Sequence, residues 1–489
     1  MQTVSCPSCG AEVSFRSHAS VMAVCEYCHT SVLKTPDAVK DLGKMSAVLE
    51  DYSPIQLHTS GTLGGRAFNV IGRIQLRYAA GMWNEWYLLF DDGASAWLGD
   101  SSGLYTVTTE RKTTGPLPTF ADLAPGKLYT IGSEGRFMAS EVRSADCIGG
   151  QGELPFRVGQ GWQAKVADFR SGADFITLDY SDGAPVVYTG LSVTLESLQC
   201  QLLRDDDAIQ RSAGKYRGKL DALDCPSCGS PIKYVPGKTA SLVCPACHAQ
   251  IDAAGPEAQV LAAGERVDAV QTSLELGAKA KLNKQEYRVL GLMVRADDEG
   301  AQWTEYLLYG ARSGFSWLVE TDEGWWRSNV MPTWPAWEST TAKTATLDKV
   351  EYAKLYDYGS TVTYAAGAFN WRVNAGDRSR VYEFQHGQTR LAAELTPQEL
   401  TWSRSTPMPV DQLKAWFGPQ FKGAAPSKVK AKQAGSYRDS AKRIIVMMLV
   451  LNAVPLLASF TSTFMFSLLG ALAIYLPALF LDLVDGGKS

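Results

Sequence analysis

Cys6-Pro7-Ser8-Cys9-Gly10 and, 219 residues later, Cys225-Pro226-Ser227-Cys228-Gly229 are the stretches whose reading decides the architecture. Each is completed downstream by a second pair, Cys25 with Cys28 and Cys244 with Cys247, so both sets read Cys-x2-Cys, fifteen residues, Cys-x2-Cys. Two cysteines separated by two residues form a tight knuckle whose thiolates face one ion, and two knuckles joined by a hairpin complete a tetrahedral sulfur shell suited to Zn2+. The hairpin is legible: Val13 and Phe15 lead out and Val21, Met22 and Val24 return, as Ile232, Tyr234 and Val235 lead into Pro236-Gly237 before Leu242 and Val243. Thioredoxin-like redox pairs and disulfides are the competing readings. Both fit less well, because each pair has a second pair at ligand spacing with no βαβ pattern around it, and Met1 to Cys6 shows neither the basic n-region nor the apolar h-region of a secretory signal, so a cytoplasmic chain is expected. With four protein ligands and no open position, the expected sites are structural. His29 and His248 follow the last cysteines and are candidates for hydrogen bonds near them.

The repeat continues beyond the cysteines. Val70-Ile71-Gly72 matches Val289-Leu290-Gly291, and Trp83-Asn84-Glu85-Trp86-Tyr87-Leu88 matches Trp303-Thr304-Glu305-Tyr306-Leu307-Leu308. Trp97-Leu98 then matches Trp317-Leu318, Lys127-Leu128-Tyr129 resembles Lys354-Leu355-Tyr356, and Phe156-Arg157-Val158 resembles Trp371-Arg372-Val373. The bodies are short runs rich in Val, Ile, Tyr, Trp and Phe, punctuated by Gly and Asp, with no ordinary amphipathic helix between Ile71 and Tyr188. The expected fold class is mainly β: two four-cysteine zinc ribbons, each followed by an antiparallel sandwich or barrel, with a C-terminal transmembrane helical hairpin. The expected boundaries are 1–34 and 221–254 for the ribbons, 52–200 and 268–416 for the β domains, 201–220 for a helical linker and 417–443 for a basic tether. Helical pieces are expected at Asp37 to Leu49, Leu198 to Leu220 and Pro256 to Leu274.

The Cys-Pro-Ser-Cys-Gly ribbon followed by Trp-x-Glu-aromatic and a later Trp-Leu resembles the bacterial domain of unknown function 4178 family, in two copies. That resemblance implies architecture and little mechanism. Its members are similar in being encoded near small membrane proteins and polyamine aminopropyltransferase-like enzymes, which implies protein partners of those kinds in a membrane-associated assembly.

The membrane expectation also has a basis in the residues. Ile444 to Leu481 is 38 residues without a charged side chain. One helix of that length would run about 57 Å, nearly twice the hydrocarbon thickness of a bilayer, so two spans, 444–460 and 464–481, are expected. Lys422, Lys428, Lys430, Lys432, Arg438, Lys442 and Arg443 precede them. Basic residues beside a span favour the cytoplasmic side, which places the bulk of the chain and both termini in the cytoplasm at the inner membrane. The formal net charge of -4 and the pI near 5.9 argue against nucleic acid as a partner. The ribbons are no exception: residues 1–50 hold four basic against five acidic side chains, and 221–254 hold two against three.

For chemistry, the residues kept by both copies come first. On a strand Trp83, Glu85 and Tyr87 share one face, as do Trp303, Glu305 and Leu307, which sets a carboxylate among large apolar groups. Burial raises a carboxyl pKa unless a cation compensates, and Arg157 and Arg372 are the expected partners of Glu85 and Glu305. The same groups, with Trp83, Trp303 and neighbouring aromatics, could instead line a pocket for a small polar or cationic ligand. No phosphate loop, nucleophile elbow or matched body histidine points to catalysis. The leading expectation is therefore a membrane-tethered adaptor for protein partners, and the alternative a sensor or enzyme accessory that binds a ligand in the aromatic-carboxylate pocket.

Overall fold

The structure is a computed structural model. It describes residues 2–34, 39–45, 53–79, 81–101, 103–158, 162–205, 223–232, 241–252, 259–262, 272–282, 285–310 and 314–423, with scattered residues between 441 and 477. Two compact units divide at Ala424. Both β bodies belong to the first.

Each body is a closed antiparallel barrel of eight strands. In the first, these are β1 (Arg66–Tyr78), β2 (Gly81–Phe90), β3 (Ser95–Ser101), β4 (Leu104–Glu110), β5 (Arg136–Leu154), β6 (Gln163–Ser171), β7 (Asp174–Asp179) and β8 (Val186–Val193). The hydrogen-bonded order is β1-β2-β3-β4-β8-β7-β6-β5, and β5 returns to β1. Two four-stranded meanders thus close on each other. The second barrel repeats this order with β9 (Gln285–Asp297), β10 (Gln302–Gly310), β11 (Gly314–Thr321), β12 (Gly324–Val330), β13 (Val350–Phe369), β14 (Arg378–His386), β15 (Thr389–Leu395) and β16 (Leu400–Met408).

Several strands are covered on both faces, which is why they read as near-continuous apolar runs rather than alternating ones. The outward residues Trp86, Leu88 and Phe90 of β2 pack with Val70, Leu98, Val107 and Leu198. The outward residues Phe169, Ile176, Leu178 and Val187 lie with Ile131, Leu117 and Leu123 of the long connection between β4 and β5. Of the residues on the other face of β2, Trp83 and Glu85 line the lumen and Tyr87 packs against Trp97.

Closure depends on two glycines. Gly72 of β1 lies opposite Gly152 of β5. A Cβ on Gly72 would sit 1.8 Å from the Glu153 carbonyl oxygen, and Gly152 has φ +66 with its Cβ position 2.2 Å from the Ile71 carbonyl. Only glycine permits that approach and that backbone angle. The pair Gly291 and Gly367 repeats the crossing, Gly367 at φ +95.

Beyond the crossing β5 leaves the barrel and enters the ribbon. Its residues Gly152 to Leu154 pair with strand Met22–Val24, as Gly367 to Phe369 pair with Ser241–Val243. In the first copy the buried Glu153 accepts hydrogen bonds from the Arg16 and Ser17 amides at 2.8 and 3.0 Å and from the Ser20 hydroxyl at 2.9 Å. The ribbon is therefore stitched into the barrel sheet.

Four expectations need correction. Among the described residues, no helix is long and apolar enough to cross a membrane. Lack of charge is necessary for a span, but a span also needs a continuous helix of about 20 residues. The described helical residues there are 445, 447–449, 465, 467–473 and 475–477, and the others of 444–460 and 464–481 lie outside the described residues, save Asn452. The transmembrane hairpin and the inner-membrane location that rested on it are corrected accordingly. Second, the segment expected to be helical from Asp37 contains strand Val39–Lys44, and that from Pro256 contains strand Gln259–Ala262, because each extends the ribbon sheet by pairing. The helical linker falls on residues 206–220, outside the described residues, and 201–205 are not helical. Third, an α-helix, Val410–Phe417, follows the second barrel and buries Leu413 and Phe417 against it. Fourth, Lys127 to Tyr129 and Lys354 to Tyr356 are not equivalent. The former precedes β5 and runs into a three-residue strand, while the latter lies within β13.

Gly72→Ala should destabilise the first barrel by about 1–3 kcal/mol or more, as overpacking against fixed backbone does. A lowered urea midpoint checks this; a midpoint equal to that of the parent would show that the crossing can open without cost.

Candidate functional site

The eight ribbon cysteines form two clusters. Cys6, Cys9, Cys25 and Cys28 bring their sulfurs within 4.8 Å of one another, and Cys225, Cys228, Cys244 and Cys247 do the same. Measured pairs are 3.6 Å for Cys6 and Cys28 and 3.7 Å for Cys9 with Cys25, Cys225 with Cys247 and Cys228 with Cys244. A tetrahedron with metal–sulfur bonds of about 2.3 Å has edges of roughly 3.8 Å. The donor set therefore fits a tetrahedral metal ion. Each knuckle turns through a left-handed residue: Gly10 and Gly229 at φ 78 and 75, His29 and His248 at φ 57 and 56. The two histidines thus shape the turn with their backbones, their amides donating to the Cys25 and Cys244 carbonyls at 2.9 and 2.8 Å.

The other site is the lumen of the first barrel, where side chains from all eight strands enclose a cavity of about 240 Å³. One water needs roughly 10–15 Å³ on that measure. One wall is a run of aromatic rings: Tyr87 against Trp97 at 4.9 Å, Trp97 against Phe156 at 5.7 Å, and Phe156 stacked on Trp162 at 5.5 Å. Among the described residues the buried Nε1 of Trp162 has no hydrogen-bond partner. Carboxylates face this wall. Glu85 of β2, Asp168 of β6 and Asp179 of β7 line the cavity, while Asp100 of β3 lies on the outward face with Leu98 and accepts a hydrogen bond from the Ser53 hydroxyl.

Glu85 accepts a hydrogen bond from Trp83 Nε1 at 2.8 Å. Among the described residues no lysine or arginine forms an ion pair with it. Burial pushes its pKa up to about 8; the Trp83 bond works against the rise, while the charges of Asp168, Asp100 and Asp179 add to it. Asp168 is also raised by burial, against the Thr177 hydroxyl that donates to it at 2.7 Å. The two arginines of the lining make their hydrogen bonds and ion pairs with groups other than Glu85, although the charges of both lower the Asp168 pKa. Arg143 pairs with Glu141 and, at 2.9 Å, with Glu399 of the second body, its guanidinium 3.9 Å from the Tyr78 ring centre. Arg170 bonds Ser192 and the Pro332 carbonyl at 2.8 and 3.1 Å. Met331, Trp334, Leu400 and Thr401 of the second body complete the lining.

The second barrel solves the same problem differently. Leu76 pairs with Trp83 in β1 and β2, and Arg295 pairs with Trp303 in β9 and β10, so leucine and arginine hold one position. Asp179 lies across from Val166 and Glu394 across from Val381, which makes them counterparts as well. The buried Arg295 guanidinium lies 3.5 Å from Glu305, pairs with Glu394 and donates to the Ser379 hydroxyl at 2.7 Å. Burial opposes its charge, but Glu394 and Glu305 outweigh that and hold its pKa above the ordinary arginine value. Trp303 repeats the indole bond, to Glu305 at 2.7 Å.

The structure brings each cysteine set together and sets Trp83 against Glu85 and Trp303 against Glu305. The two expected arginine partners are not among these contacts. Arg157 is exposed, and among the described residues the Nε of Arg372 has no hydrogen-bond partner; both residues follow the end of the long strand where the chain has left the barrel. Arg295 went unnoticed. Its signal was a lone arginine closing the apolar run Val289 to Val294, opposite a leucine in the other copy.

A ribbon stitched to an eight-stranded barrel and present twice defines a tandem β-barrel protein with two four-cysteine clusters. A family model for a domain of unknown function, DUF4178, matches residues 56–195 and 275–410, and the chain belongs to that family. Comparisons with curated proteins and with solved structures return no significant match.

The folded state holds a proton on Glu85 that the unfolded chain releases near 4.5, so its share of stability is full below that pH and is lost as pH rises through about 8. That loss is up to about 1.4 kcal/mol per pH unit. Glu85→Gln should remove this slope in denaturant melts recorded across the interval; an unchanged slope would show that Glu85 titrates normally. Arg295→Leu should cost about 3–5 kcal/mol, since it strands Glu305 and Glu394, and a change under about 1 kcal/mol in the same melts would contradict the buried pairing.

Proposed function

We propose that this protein is a ligand-binding module whose first barrel receives a small organic cation in its aromatic-carboxylate lumen, with the two ribbons holding structural zinc. One observation carries the reading: Glu85 is enclosed without a cation where the duplicate barrel supplies one. A carboxyl in that position either stays protonated or ionises against a charge brought from outside. Aromatic rings and further carboxylates in one cavity favour the second course when a cation is present, because the rings accept a cation on their faces and the acids supply its counter-charge.

This favours the sensor or enzyme-accessory reading of the sequence over the adaptor. The adaptor leaned on a membrane tether, whereas the lumen is a built cavity with chemistry of its own. Protein partners remain compatible with it: ligand occupancy in the first barrel lies beside the Arg143–Glu399 contact, where a response in the second body could begin.

Zinc is favoured for the clusters by four sulfur donors, tetrahedral spacing and closure without an open position. Elemental analysis of the purified chain should return two zinc ions per polypeptide, and Cys25→Ser should lower this to one while loosening strand Met22–Val24 from β5. Recovery of iron or of no metal in folded protein would overturn the assignment.

For the lumen, calorimetric titration with small amines and guanidines and with neutral isosteres is the test. Cations should bind and isosteres should not, with Glu85→Gln weakening affinity at least about tenfold, roughly 1.4 kcal/mol. Equal binding of neutral isosteres, or affinity unaffected by Glu85→Gln, would refute the reading.

A further inference from the structure

The duplicate barrel indicates which cation. Arg295 places a planar guanidinium between two carboxylates, Glu305 and Glu394, on opposite sides of the second lumen. The first lumen keeps both acids, as Glu85 and Asp179, and has at the arginine position Leu76, a shorter side chain with no donor to offer them. Ser379, which accepts a third guanidinium bond, lies at the counterpart of Ala164, so the first lumen has also lost a hydroxyl and gained room.

We infer that the first lumen takes the guanidinium group of a small ligand, held by Glu85 and Asp179 in the place that Arg295 occupies in the second barrel. The inference rests on the cation-binding reading and adds the head group. Two acids on facing strands suit a flat ion with several fixed donors, which can address both at once, better than a spherical quaternary ion that donates nothing. The aromatic wall of Trp97, Phe156 and Trp162 receives the rest of the ligand. The second barrel, already holding its own guanidinium, is the permanently occupied copy.

Three small cationic probes separate the possibilities on the full chain with its metal: methylguanidinium, methylammonium and tetramethylammonium. Methylguanidinium should bind with a stoichiometry of one and raise the melting temperature, and tetramethylammonium should bind at least tenfold more weakly. Leu76→Arg should abolish methylguanidinium binding and raise the melting temperature of the ligand-free protein by supplying the group internally. Tetramethylammonium binding as tightly as methylguanidinium would overturn the guanidinium assignment while leaving a cation site in place; failure of all three probes would overturn both. A folded Leu76→Arg protein that still binds methylguanidinium at full affinity would overturn the placement. Should Leu76→Arg not fold, the comparison of the three probes on the parent protein decides alone, and Asp179→Asn must weaken methylguanidinium at least fivefold or the second acid is wrongly assigned.

Discussion

A carboxyl group enclosed in a β-barrel must be answered by a proton or by a cation, and this chain carries both answers. In the second barrel Arg295 is built into the strand and the charges are settled internally. In the first, Leu76 stands in that position and Glu85 keeps a proton up to about pH 8. The cost of burying an unpaired charge, several kcal/mol, is what makes the first lumen receptive. The cavity, the aromatic wall and the extra acids matter because they surround that one group.

The rest of the fold holds the lumen open. Barrel closure rests on glycine pairs, Gly72 with Gly152 and Gly291 with Gly367, where the long strand passes close to the first strand of the barrel before entering the ribbon. Each four-cysteine cluster orders a ribbon whose strand pairs with the last residues of that long strand. Metal binding, strand addition and closure are therefore successive links of one chain of contacts. Without an ordered ribbon the strand beyond the glycine crossing would lose its sheet neighbour, and the crossing would have less to hold it shut. Covers on the outer faces, from the β4–β5 connection and from Leu198 with its neighbours, bury the apolar residues that point outward.

Much of this was legible from spacing. The cysteine tetrads, the duplication and the β class follow from residue patterns, and period two placed Trp83 and Glu85 on one face. The arginine partners were not legible. Arg157 and Arg372 are near the glutamates in no sense that sequence distance reveals, because the long strand carries them past the barrel before they occur. Arg295 lies one strand away from Glu305, and its meaning emerges only from the register that sets it beside Trp303, with Leu76 at the matching place. Which acids meet across a lumen depends on closure, and closure is a property of all eight strands. At the C-terminus, the run without charge from Ile444 reads as two spans, but among the described residues no helix is long and apolar enough to cross a membrane.

Ligand recognition in the first barrel turns on Glu85 giving up its proton when a cation arrives. Calorimetric titration of the full chain with methylguanidinium at about pH 7, repeated in two buffers of different ionisation enthalpy, counts the protons exchanged on binding. Close to one proton should be released per cation bound, since a group titrating near 8 is mostly protonated at that pH, and the release should disappear in Glu85→Gln. Binding with no proton released, or with the same release when Glu85 is glutamine, would contradict it.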